Sequence, residues 1–312
     1  VSHRAGILGV AAVVLAVAVT GCKGRSGEEG SSAIAPDPSG ESPAARVARA
    51  RRAAAQASAL RDGVGAPRDG ARAVALFGEA CDAGIAEACG DMGSMYADGV
   101  GVPKDAARAA PLFQTACHGG DFAACARLAD LVRAGRGVAK DEERAALLFT
   151  KACDGGLARA CTREATMVAS GAGVVKDAAG AAALFQKACD GGDVEGCVDL
   201  GEAYEKGEGV TESFGEAVDL YDKACTAGSA DGCRQLGEMY SAGRGVVRSP
   251  THSLELWGRA CDGGDYVACV ELAKLYASGR GVRADRARAT ALYQKACDAG
   301  VTMGCDALKP GR

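Results

Sequence analysis

The chain has 312 residues, a formal net charge of −4 and a pI near 5.6, so no global positive field attracts nucleic acid and no nucleic-acid partner is expected. Apolar residues make up 48% and aromatics only 4%, while 45 positions are glycine, about twice the ordinary share. A load of glycine this high points to a periodic chain, and repeats must be sought before domains are counted.

In chain order, His3 and Arg4 precede an uncharged run from Ala5 to Thr20. That run is short for a bilayer span and has the length of a signal-peptide core. It closes on Val19-Thr20-Gly21-Cys22, which resembles a bacterial lipobox. Residues 1–21 are therefore expected to be a lipoprotein signal peptide, with Cys22 lipidated. Lys23 follows, and the same resemblance implies sorting to the outer membrane without naming the leaflet. Residues 22–43 hold Gly, Ser, Glu and three prolines with almost no bulky apolar side chain, so they are expected to form a flexible tether. Some twenty residues of that kind reach roughly 25 Å.

From residue 44 to 309 one unit of 36 residues recurs without an insertion. A first helix, near 44–61, carries Arg46, Arg49, Arg51 and Arg52 and stops at Gly63 and Gly65. The four arginines either solubilise the end of the stack or attract anionic lipid. Next come Asp69, Asp105, Asp141, Asp177, Ser213, Ser249 and Asp285, all N-cap residue types. Twelve residues after each cap stands a cysteine, and three further a glycine able to end a helix in the left-handed conformation, as Gly84 and Gly120 do. The bracketed segment is a helix, B, with one aromatic slot occupied in turn by Phe77, Phe113, Phe149, Phe185, Tyr221, Trp257 and Tyr293. The lone Trp257 shares its register with six other rings and is read as core.

The second cysteine series opens a further helix, A, as in Cys197-Val198-Asp199-Leu200-Gly201, with apolar or small residues at helical spacing. Gly or Ala in the Gly201 slot lets A and B approach closely. Each A helix stops at a Gly-x-Gly, as at Gly171 and Gly173. Seven A–B pairs and a terminal A stub are thus expected, leaving residues 310–312 as a tail. Such units bury their faces by stacking on neighbours, which predicts an all-α, right-handed solenoid with a continuous core and a concave surface.

Fifteen cysteines less Cys22 leave an even fourteen in an exported chain, which argues for disulfides. Two regular pairings satisfy the ladder. One joins Cys81 to Cys89, Cys117 to Cys125, Cys153 to Cys161, Cys189 to Cys197, Cys225 to Cys233, Cys261 to Cys269 and Cys297 to Cys305. The other joins Cys89 to Cys117 and onward, stranding Cys81 and Cys305. The first is preferred. Zinc is not expected, because the ligand spacing is wide and the histidines are only His3, His118 and His252. No cofactor is expected either.

The segments Tyr240-Ser241-Ala242-Gly243-Arg244-Gly245-Val246 and Lys187-Ala188-Cys189-Asp190-Gly191-Gly192 recur in variant form along the chain. They resemble Sel1-like repeats, similar in build to tetratricopeptide repeats, and the paired cysteines resemble exported cysteine-rich proteins of the Hcp type. The resemblance implies an adaptor scaffold that binds a protein, a peptide or a cell-wall fragment, and a monomer is expected. For the cysteine-rich branch it also implies a second reading, as a penicillin-binding protein or weak β-lactamase. That chemistry needs an activated serine in Ser-x-x-Lys, with Ser-x-Asn and Lys-Thr-Gly nearby. None of these occurs, and the chain contains no asparagine. A Gly-x-Gly between two helices, with no preceding strand, is not a dinucleotide fingerprint.

Positions two, five and nine after the second-series cysteine point away from the apolar face of helix A. Position two reads Asp91, Arg127, Arg163, Asp199, Gln235 and Glu271, with basic residues central. Either this stripe is a solvated face, or it lines the concave groove and reads a partly acidic ligand through Arg127 and Arg163. Glu164 stands where Leu or Met is usual, and Val168 where Tyr is common. A buried carboxylate is costly unless paired, so either helix A is looser there or Glu164 reaches a polar pocket beside Arg163 or Arg127.

Overall fold

The computed structural model describes residues 41–309; the expected signal peptide, Cys22, nearly all of the tether and the tail at 310–312 lie outside the described residues. Among the described residues there are fifteen helices and no strand. The A helices are α1 (Pro43–Asp62), α3 (Ala86–Asp98), α5 (Phe122–Ala134), α7 (Ala158–Ser170), α9 (Val194–Lys206), α11 (Ala230–Ala242) and α13 (Tyr266–Ser278). They alternate with the B helices α2 (Gly70–Asp82), α4 (Ala106–His118), α6 (Glu142–Asp154), α8 (Ala178–Asp190), α10 (Phe214–Thr226), α12 (Pro250–Asp262) and α14 (Arg286–Asp298). The stub α15 (Thr302–Ala307) closes an α-solenoid of seven pairs.

Each B helix begins where its cap demands. The Asp69 carboxylate accepts from the Arg72 amide at 3.0 Å, and Asp105, Asp141, Asp177, Ser213, Ser249 and Asp285 do the same three residues on. Gly84, at φ 87°, stands two residues beyond the helix end and lets the Ile85 amide return to the Ala80 carbonyl at 3.0 Å. The A helices start three residues before the second-series cysteine rather than at it. In α5, α9, α11 and α13 the side chains of Asp121, Asp193, Ser229 and Asp265 cap that earlier start. From Gly101 onward, the second glycine of each Gly-x-Gly has a further duty. Gly173 sits at φ 71°, and a Cβ there would lie 2.3 Å from the Glu142 carbonyl carbon, so only glycine lets one repeat's turn meet the preceding repeat's B helix.

Packing follows the slots read from the sequence. Phe77, Phe113, Phe149, Phe185, Tyr221 and Trp257 are buried, each stabilising its repeat by about 2–3 kcal/mol. Trp257 is core, and its indole N–H donates to the Arg234 carbonyl at 3.2 Å. Opposite the largest rings the A helix carries glycine: an added Cβ would come within 2.6 Å of Tyr221 at Gly201 and of Trp257 at Gly237.

Seven disulfides join each B helix to the following A helix in the pairing Cys81–Cys89 through Cys297–Cys305, with Cα atoms 4.4–4.8 Å apart. The alternative Cys89–Cys117 ladder does not form. Each eight-residue closure removes about 2–3 kcal/mol of unfolded-chain entropy in the loop model. A covalent ladder of this kind indicates an oxidising, extracytoplasmic compartment. No described helix is long and apolar enough to cross a membrane.

A second, non-covalent tie runs beside the bridges. Lys151, Lys223, Arg259 and Lys295 reach back 34 residues to the carbonyls of Cys117, Cys189, Cys225 and Cys261 at 2.8–3.1 Å. Each places a cation on the negative end of the preceding B helix. Lys187 turns instead to Asp154 at 3.0 Å.

Candidate ligand-binding face

Two grooves open along successive A helices. The first, of about 1070 Å³, is lined by α1, α3 and α5, with Arg51, Asp91 and Arg127 among its side chains. The second, of about 410 Å³, lies across α3, α5 and α7. The buried Phe113, Phe149 and Leu131 form its floor beside the half-buried Leu157, and Arg127, Arg136, Arg159 and Arg163 contribute charge against Asp98 and Asp130. Helix periodicity accounts for the helical part of this arrangement: cysteine and ring slots turn inward, so the intervening positions turn out over the groove, while Arg136 arrives from the turn after α5.

Of the stripe residues singled out in the sequence, Arg127 and Arg163 share the second groove. Arg127 pairs with Asp98 at 2.9 Å and lies 5.9 Å from the Phe113 ring centre, while Arg163 approaches Glu195 at 3.8 Å. Asp199, Gln235 and Glu271 lie farther along the A-helix series and line neither groove. Gln235 donates to Glu202 at 3.0 Å, and Glu271 accepts from Lys274 at 2.6 Å beside a small pocket against Trp257.

Glu164 does not reach the arginine-lined pocket expected of it. Helix α7 runs through it without interruption, and its carboxylate accepts from the Thr150 hydroxyl of α6 at 2.8 Å, away from both arginines. Burial holds its carboxyl above the ordinary value, a tendency the Thr150 hydrogen bond opposes. Asp199 is pushed further, up to about 7, by burial first and then by the charges of Glu195, Glu202, Asp231 and Asp193.

Sequence reasoning missed Arg136 and Arg159. Arg136 is the middle residue of a Gly-x-Gly read only as a helix stop, and Arg159 precedes its cysteine by two, outside the stripe considered. The signal for Arg159 was helical phase, since position −2 lies one turn before position +2; Arg136, in a turn, had no such signal. Among the described residues, no group of three or more His, Cys, Asp and Glu side chains is placed to hold a metal ion.

A Sel1 repeat profile matches residues 49–85, 86–121, 122–157, 158–193, 194–229, 230–265 and 267–301. No curated protein matches the chain. Among solved structures, a protective antigen of uropathogenic Escherichia coli displaying an SLR fold is 26% identical, with TM-score 0.72 over 83% of this chain and 56% of that one. The chain thus spans a little over half of that antigen's length. A Sel1 repeat protein from Oxalobacter formigenes is 25% identical, with TM-score 0.72 over 83% of this chain and 75% of that one. Helicobacter pylori cysteine rich protein B is 27% identical over 43% of this chain and 96% of that one, at a TM-score of 0.36. With seven matched repeats joined by inter-repeat disulfides, the chain belongs to the Sel1 repeat family.

Proposed function

We propose that this chain is a non-catalytic scaffold of the bacterial cell envelope, anchored by lipid at Cys22, that holds a protein or peptide partner on its A-helix face. Sel1 repeat proteins are typically protein-interaction scaffolds. One observation carries the reading here: the inward slots repeat every 36 residues, whereas the groove-lining side chains of α3, α5 and α7 differ from repeat to repeat. A surface that varies on an invariant frame is built to discriminate. The disulfide ladder supports the exported setting, and the lipobox-like Val19-Thr20-Gly21-Cys22 supports the anchor. Hydrolysis of β-lactams is not part of the reading, since the chain lacks the serine, lysine and asparagine constellation that acylation uses.

The test is capture from envelope extracts by the oxidised mature chain, with bound proteins identified by mass spectrometry. Charge reversal in Arg127→Glu/Arg163→Glu should lower retention of the identified partner roughly tenfold, the scale of losing two partly exposed charge contacts. Unchanged retention would discard the groove as the binding surface. Saturable nitrocefin turnover above a reduced control would overturn the non-catalytic assignment.

A further inference from the structure

We propose that the A-helix face takes an extended polypeptide segment of split charge in one orientation, its acidic block over α5 and α7 and its basic block over α9 and α11. This rests on the reading of that face as the ligand surface and adds what kind of ligand it selects.

The two halves of the face carry opposite unbalanced charge. On the α5–α7 side, four arginines face two aspartates in one groove. Asp98 is already taken by Arg127, and among the described residues Arg136 and Arg159 make no side-chain hydrogen bond or ion pair. Arg163 has only the distant contact to Glu195. Guanidinium groups there remain open to an incoming carboxylate, beside the half-buried Leu157.

One helix further on, the sign reverses. Helices α9 and α11 bring six carboxylates to this region: Glu195, Asp199, Glu202, Glu205, Asp231 and Glu238. The three cations among them are spent. Lys206 holds Glu202, Arg244 holds Glu205, and Arg234 is clasped by Asp231, Glu238 and Asp265. Asp199 has no such cation, and its carboxyl value is raised by burial first and then by the charges of Glu195, Glu202, Asp231 and Asp193.

A uniformly acidic segment seated on α5 and α7 would run onto the carboxylates of α9, and a uniformly basic one would meet the arginines. Only a segment whose charge changes sign satisfies both halves, and reversing it places like charges opposite each other at both ends. Helices α7 and α9 pack directly on one another. With successive axes about 8–10 Å apart, the centres of the two blocks lie roughly 20 Å apart. Extended chain covers that in about six residues.

The probes are two synthetic peptides of one composition. One carries a glutamate block and a lysine block with centres about six residues apart; the other alternates the same residues. Anisotropy titration of the oxidised full chain at low salt should show the block peptide binding roughly tenfold more tightly than the alternating one. A photocrosslinker at its acidic end should label α5 and α7, and at its basic end α9 and α11. Arg159→Glu/Arg163→Glu should weaken the block peptide roughly tenfold without lowering the melting temperature, since both side chains are groove-facing. Equal affinities, no measurable binding of the block peptide, or one end labelling both halves would overturn the proposal. If envelope capture stays sensitive to Arg127→Glu/Arg163→Glu while the two peptides bind alike, the groove reading survives and the polarity falls alone.

Discussion

Helices α7 and α8 and, two repeats later, α11 and α12 are cut from one template and filled differently. In the second pair the ring is Trp257 and the facing slot is Gly237, with Leu236 buried before it and Tyr240 closing the helix. In the first, the ring is Phe185 and the slot Ala165, with Glu164 and Val168 in the remaining places. The buried apolar residues respond accordingly. Leu236 and Trp257 sit in an extensive core cluster, whereas Ala165 and Phe185 belong to a small one with Ala181, Ala182 and Leu200. Slots therefore specify a volume shared across the A–B interface rather than a residue. Tyr221 and Trp257 are each matched by a glycine, and where a carboxylate intrudes the core thins.

The sharpest way to break this comparison is through what the two units share. Cys153→Ser/Cys161→Ser and Cys225→Ser/Cys233→Ser should each cost about 2–3 kcal/mol in urea unfolding, because both close loops of equal length. A loss confined to one of them would show that the units are not equivalent at the bridge. Next in size is the shared volume. Gly237→Ala puts a methyl group 2.6 Å from the Trp257 ring nitrogen and should cost about 1–3 kcal/mol. Adding Trp257→Phe should recover most of that loss, as a double-mutant cycle would show. Ala165→Gly should lose about 1 kcal/mol, the helix penalty of glycine, with no such coupling to Phe185.

Smaller still are the pH effects. An acid whose folded value is raised holds its proton more tightly when folded, so it contributes stability at low pH and loses it as pH rises through the folded value. For Asp199 that window runs from 3.8 to about 7. Asp199→Asn should flatten the decline in melting temperature across it, and an NMR titration of Asp199 with a midpoint near 4 would refute the assignment. Glu164→Leu should likewise stabilise α7 more at pH 8 than at pH 4, making it resemble α11.

Features set by neighbours in sequence were legible from the residues. The cap series, the ring slot, the glycine stops and the bridge pairing all depend on contacts among neighbours in sequence, and each was announced several times over. What escaped detection spans two units. Lys223 bonds to the Cys189 carbonyl 34 residues earlier, and its Lys-Ala-Cys setting was noticed as a motif without a partner. Glu164 found Thr150 because α6 stands across from α7, a fact of packing that helical phase does not supply. Arg136 and Arg159 converge from a turn and a helix start, so no single periodicity links them.

The bridges also decide how the chain can be severed. Every B-to-A turn lies between two bonded cysteines, so a protease that cuts between Cys189 and Cys197 leaves both fragments joined through sulfur. The Gly-x-Gly turns between A and B have no such bracket, and a cut at Gly207–Gly209 separates the chain outright. Alternate loops thus differ in consequence rather than in exposure: half of the connections are backed by a second covalent path, and the molecule can be fragmented only at the other half until it is reduced.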